Sequence, residues 1–164
     1  MGENQDLKVP TNRVTVELAL RGGERRRVQL FLAEHDAHAF RQQSLLDLLG
    51  DERRFLPARD VDNDATLLFN KDSIAWVALS RPLAPEKTDD IELFEEDQRV
   101  EVRMRDGASL AGDVFYSPPE GGHRLVDHLN AGARYICMYS ADQVYFVNKA
   151  FVQWVRECES GDKA

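Results

Sequence analysis

The chain is predicted to be mainly β, built as two tandem small barrels of five short strands, each with one short helix between strands two and three. Two observations predict this. A stretch is written twice, as LLFNKDSIAWVAL at 67–79 and VYFVNKAFVQWVRE at 144–157. Each copy opens with apolar residues that alternate with a period of two, the mark of half-buried strands.

In both copies an apolar run enters Asn-Lys. Three residues past the Lys comes a β-branched residue, then Trp two further on, then Val. These are Asn70, Lys71, Ile74, Trp76 and Val77 in one copy, and Asn148, Lys149, Val152, Trp154 and Val155 in the other. Both of the chain's Trp residues stand at this matched place, where core and inter-domain packing is expected of them. The repetition predicts a lead-in at 1–12, a first barrel at 13–79, a joint at 80–98, a second barrel at 99–158 and a tail at 159–164.

Taken in order, Val14, Val16, Leu18 and Leu20 alternate along a strand at 13–20, Arg21-Gly22-Gly23-Glu24 turns, and residues 25–32 return. A short helix is expected at 44–49, with Ser44 as N-cap, Asp47 at N3 and Gly50 closing it. Strands follow at 54–59, 65–70 and 74–79, with a tight corner at 70–73. Pro82, Pro85 and the acids between 89 and 97 mark the joint, where Ile91, Leu93 and Phe94 are expected to pack on a neighbouring half or add a short strand to it. In the second half a strand at 99–105 meets the Asp106-Gly107 turn and returns over 109–116, a loop follows at 117–122, and RLVDHLN stands where SLLDLLG stood. An offset of 80 pairs Asp47 with Asp127 and Arg54 with Arg134; by Asn70 and Asn148 it is 78, so two residues are lost at the turn between. Before the helix, offsets of 84 and 86 both align the copies.

The endings LLFNKDSIAWV and YFVNKAFVQWV, with the opening VEVRMRDGASLAGDVF, resemble the Sm-like family of small SH3-like barrels. The resemblance implies a strongly bent five-stranded barrel and, as one function, RNA binding in a ring. The layout is also similar to small bacterial domains of unknown function. Here the helical segment falls between strands two and three rather than before strand one, and Asn-Lys stands where the family has Arg-Gly.

Composition narrows the function. With 164 residues, 43% hydrophobic and 30% charged, the chain is globular. A net charge of −8 disfavours a phosphate-binding surface. The polar start and the absence of a long apolar run point to a cytoplasmic protein off the membrane, with Cys137 and Cys158 as reduced thiols. No G-x-S-x-G, C-x-x-C or phosphate loop is present, and neither an enzyme nor a cofactor is expected.

Several polar groups are candidates. Asn70-Lys71 and Asn148-Lys149 read either as paired sites for an acidic partner, or as Asn-capped turns with exposed lysines. Arg25, Arg26 and Arg27 form one basic cluster, a contact for RNA or an acidic partner, or a solvated edge that resists aggregation. Asp47 with Arg54, and Asp127 with Arg134, are expected to pair and fasten helix to strand. His35 and His38 have helical spacing without a third ligand, and His123 and His128 are off register, so no metal is expected. The leading expectation is a non-catalytic module that binds another protein or itself; the alternative is an RNA-binding ring.

Overall fold

The computed structural model describes residues 11–33, 41–81, 96–116 and 124–159. It is mainly β. The first half runs β1 (Thr11–Leu20), β2 (Arg25–Ala33), α1 (Arg41–Gly50), β3 (Phe55–Asp60), β4 (Thr66–Asn70) and β5 (Ile74–Ser80). The second runs β6 (Glu96–Met104), β7 (Ser109–Tyr116), α2 (Leu125–Leu129), β8 (Tyr135–Tyr139), β9 (Gln143–Asn148) and β10 (Val152–Cys158). A single 3-10 turn joins the last two strands of each half, at Lys71–Ser73 and at Lys149–Phe151.

The alternating residues form strands with one buried face, as expected: Val14, Val16 and Leu18 on β1, and Val100, Val102 and Met104 on β6, are all core. Both hairpin turns place a glycine in the left-handed region, Gly23 at φ 97° and Gly107 at φ 95°, where a Cβ would be strained. The hairpins correspond bond for bond. Gly23 N–H donates to the Leu20 carbonyl at 3.0 Å and Gly107 N–H to that of Met104 at 2.9 Å. Arg21 N–H donates to Ser73 at 2.8 Å and Arg105 N–H to Phe151 at 2.9 Å, which fixes the offset before the helix at 84. The turns before β4 and β9 account for the two-residue difference. Asp60 N–H reaches the Ala65 carbonyl across four residues, and Ser140 N–H reaches that of Gln143 across two, both at 2.8 Å.

All ten strands join one open antiparallel sheet, in the order β10-β6-β7-β8-β9-β5-β1-β2-β3-β4. Each half therefore has its fifth strand beside its first, and the halves meet where β5 pairs with β9. Two cores form, on opposite faces of this seam. The first holds the apolar residues of β1 to β5 with Leu45 and Leu49 of α1, and it borrows Tyr135, Tyr139, Val144 and Phe146 from β8 and β9. The second holds those of β6 to β9 with Leu125 of α2, and it borrows Ala75, Trp76 and Ala78 from β5. The seam strands are thus covered on both faces, and β5 reads as the continuous run IAWVAL.

At Gly112 the backbone of β7 lies so close to β8 that a Cβ would stand 2.8 Å from the Tyr139 carbonyl oxygen. Only Asp113 and Tyr139 pair these two strands in register, so the contact has little reserve. Gly112→Ala is expected to lose about 2 kcal/mol in urea denaturation.

Some expectations are corrected. Helix α1 begins at Arg41, so Ser44 and Asp47 lie inside it rather than at its N-terminal cap, and Gly50 is its last residue. Strand β6 starts at Glu96, taking residues assigned to the joint; Glu96 faces Tyr116 and Asp97 faces Phe115. The rest of the joint with its prolines and acids, the lead-in before Thr11, the 117–122 loop, the end of the tail, and His35, His38 and His123 lie outside the described residues.

Candidate interaction surface

The Asn-Lys corners divide their work. Asn70 Oδ1 accepts from Asp72 N–H at 2.9 Å and Asn148 Oδ1 from Ala150 N–H at 3.0 Å, so each asparagine caps its 3-10 turn. The lysines are not exposed. Lys71 is 2% exposed, and its ammonium donates to the Leu48 carbonyl at 2.6 Å and to the Asp51 carboxylate, at the C-terminal end of α1. Half-buried Lys149 repeats this on α2, reaching the carbonyls of Leu129 at 2.6 Å and Ala131 at 3.0 Å. Cations there satisfy carbonyls that a helix end leaves unpaired and oppose the negative end of its dipole. Burial pushes the Lys149 ammonium below its ordinary pKa. Pattern reasoning missed these contacts, since the carbonyls lie about twenty residues upstream.

The arginines are also engaged. Arg25 lies over the Trp76 ring, 5.2 Å from its centroid, and Arg26 pairs with buried Asp60 and with Glu24, each at 2.8 Å. Arg27 is exposed on the face that Arg25 shares. The arginines of the two expected pairs converge on one carboxylate, Arg54 from its own half and Arg134 from across the seam. Arg54 at 3.9 Å and Arg134 at 3.8 Å both approach Asp72, while Asp127 turns to Arg124 at 3.6 Å. His128 stacks on Tyr116 at 5.0 Å. Among the described residues no three His, Cys, Asp or Glu side chains cluster as metal ligands, and no helix is long and apolar enough to cross a membrane.

Two carboxylates among the described residues contribute to the acid response. The Arg53 side chain, with Lys71 beside it, holds the Asp51 carboxyl well below the usual carboxylate range. The backbone N–H of Asp62, with the Arg26 side chain, lowers the pKa of Asp60. A carboxyl whose pKa is depressed by folding stabilises fully above its unfolded value of about 4, and this is lost as pH falls through the folded value. The urea midpoint is therefore expected to change little between about pH 7 and 5 on their account and to fall below about pH 4, less steeply in Asp51→Asn.

The seam is the built contact of this molecule. Trp76 faces Val147, Val77 faces Phe146, Ala78 faces Tyr145, Leu79 faces Val144 and Ser80 faces Gln143. Trp76 meets Tyr145 edge-to-face at 5.6 Å, and the Asn148 amide donates to the Ile74 carbonyl at 3.0 Å in a buried bond. Arg81 prolongs the seam, its guanidinium donating to the Ser140 carbonyl at 2.7 Å. Tyr135, also buried here, leaves its hydroxyl without a partner, and burial pushes its pKa up to about 12. The matched residue in the first half is Phe55, so Tyr135→Phe is expected to raise stability by about 1 kcal/mol, read as a higher urea midpoint.

The strands that match the seam strands lie at the two ends of the sheet. They are β4, matching β9, and β10, matching β5. Apolar side chains on β4, on β10 and on β3 beside β4 face out there, while Phe69 of β4 stays buried. Leu68 is 65% exposed where its match Phe146 is 0%, Phe55 is 54% where Tyr135 is 5%, and Trp154 is 39% where Trp76 is 3%. A crevice of about 560 Å³, lined by Leu20, Gly22, Ala75, Met104, Arg105 and Phe151, lies where the two hairpin turns approach the second corner. Its lining surface is mostly apolar, with the charged residues Arg21, Arg105 and Asp106 at its rim. No family model, curated protein or solved structure matches the chain.

Proposed function

We propose that this is a non-catalytic protein-binding scaffold, made of two small barrel-like units of Sm-like kind fused along a shared strand pair, whose end strands β4 and β10 receive partners. One observation carries the reading: side chains buried at the seam are bare at the matching positions of both edges. An edge strand offers unpaired backbone groups, and apolar side chains beside them form the recognition surface for an added strand. The cations expected to meet phosphates support protein over RNA. Lys71 and Lys149 close helices and Arg26 is paired, so these three are not free to meet a polyanion.

The test is affinity purification of the full chain from extract at low salt, beside Leu68→Lys and Trp154→Glu. A protein that co-purifies with the wild type, is weakened in one or both variants and is lost when the two substitutions are combined supports the reading. Bound RNA that both variants keep, and that salt removes as phosphate contacts require, overturns it in favour of the RNA-binding ring.

A further inference from the structure

We infer that the partner at both edges is a second copy of this chain, joined head to tail with β10 of one copy antiparallel to β4 of the next. This rests on the protein-binding reading above and names its partner. The internal seam supplies the register. Carrying each β5–β9 pair to its matching residues sets Trp154 opposite Phe69, Val155 opposite Leu68, Arg156 opposite Leu67, Glu157 opposite Thr66 and Cys158 opposite Ala65.

Each core explains why the occupant is this chain rather than an arbitrary strand. The first core is closed by the far faces of β8 and β9, through Tyr135, Tyr139, Val144 and Phe146. Among the described residues no strand pair closes the second core in this way, and Val152 and Val155 stay only partly buried against it. The residues that match the missing cover are Phe55 on β3 and Leu68 on β4, the two most exposed large apolar side chains described. On a neighbouring copy they would lie over the second core as Tyr135 and Phe146 lie over the first. Trp154 would in turn enter the next copy's first core, as Trp76 enters the second core within the chain.

The corner asparagines fit the same seam. Asn148 donates across it to the Ile74 carbonyl, and the matching donor on Asn70 sits at the open edge, in register with the Val152 carbonyl of the next copy. Both β10 and β5 also carry the same register shift against their first strands, between Val152 and Trp154 and between Ala19 and Leu20, so the β10 edge repeats the bulge of its seam counterpart. Such a contact joins two different surfaces. It generates a ring if the rotation closes and a filament if it does not. Gln153, Arg156 and Glu157 make β10 more polar than β5, which weakens the contact relative to the internal seam and makes it reversible.

Light scattering of the purified full chain tests this. The wild type is expected well above the single-chain mass of 18.7 kDa, either at one fixed multiple or growing with concentration. Leu68→Lys blocks one edge and Trp154→Glu the other. Both positions are exposed, and Glu at 154 faces Arg103, which now lies over the Trp154 ring at 5.1 Å, so the fold is kept. Each variant alone is expected at single-chain mass, and an equimolar mixture at twice that mass and no higher, since one open β4 and one open β10 remain.

A variant that still dimerises alone reveals like-to-like edges and overturns the proposal. The register has its own test. Facing residues of an antiparallel pair stand about 4.5–5.5 Å apart at Cα, within disulfide reach. Mild oxidation of Ala65→Cys should then give a reducible ladder through native Cys158 that vanishes with Cys158→Ser. A wild type that stays single-chain across the concentration range, or no ladder, overturns the second copy as partner. Partner loss in the affinity purification is read separately, so the protein-binding reading can survive that failure.

Discussion

Replacing Lys71 with Met is expected to lower the unfolding free energy by about 3 kcal/mol, the scale for removing one partner of a buried charged contact. The measurement is urea denaturation followed by Trp fluorescence. The loss comes from three sources. The Leu48 carbonyl and the Asp51 carboxylate at the end of α1 lose their donor, and the helix dipole loses the cation opposite its negative end. The corner at Lys71–Ser73 also loses its tether to α1. Lys149→Met should cost less, since Lys149 is only half-buried and makes its contacts to backbone carbonyls of a shorter helix. Equal losses at the two positions would mean that burial is not what sets the effect.

The contrast between Lys71 and Arg25 shows how far the sequence can be read. Period-two alternation predicts which residues of β1, β2, β6 and β7 face a core, since strand side chains alternate whatever the tertiary fold. Gly23, Gly107, Asn70 and Asn148 are legible for a similar reason, because each acts on backbone within a few residues of itself. Lys71 is not, since a lysine in a polar corner reads as exposed and nothing local shows that a helix end lies beside it. Arg25 reads as part of a basic cluster, yet its position over Trp76 is set by the pairing of β1 with both β2 and β5.

The seam had a signal that can be recognised once the strands are compared. IAWVAL is apolar at every position, as a strand covered on both faces must be, whereas VQWVRE at the matching place interleaves Gln, Arg and Glu. Likeness between the copies identifies the repeated unit, while this difference identifies which copy is enclosed. The repeat also predicted five strands and a helix per half, which is the strand order observed within each, but pairing between the halves depends on how the fifth strand of one reaches the fourth of the other.

Asn148→Leu is expected to destabilise by about 3 kcal/mol, and Asn70→Leu by about 1 kcal/mol in dilute protein. Both lose the cap on a 3-10 turn, through Ala150 N–H and Asp72 N–H. Only Asn148 also holds a buried bond across the seam, and a Leu there leaves the Ile74 carbonyl without that donor. The difference between the two variants therefore isolates the cross-seam bond from the shared capping effect, to the extent that the corners match. It also depends on assembly. If Asn70 meets the Val152 carbonyl of a neighbouring copy, Asn70→Leu loses a second bond once protein concentration is high enough for the edges to pair. The gap should then narrow as concentration rises, in step with the mass seen by light scattering, and a gap that stays constant while mass increases would place the contact away from Asn70.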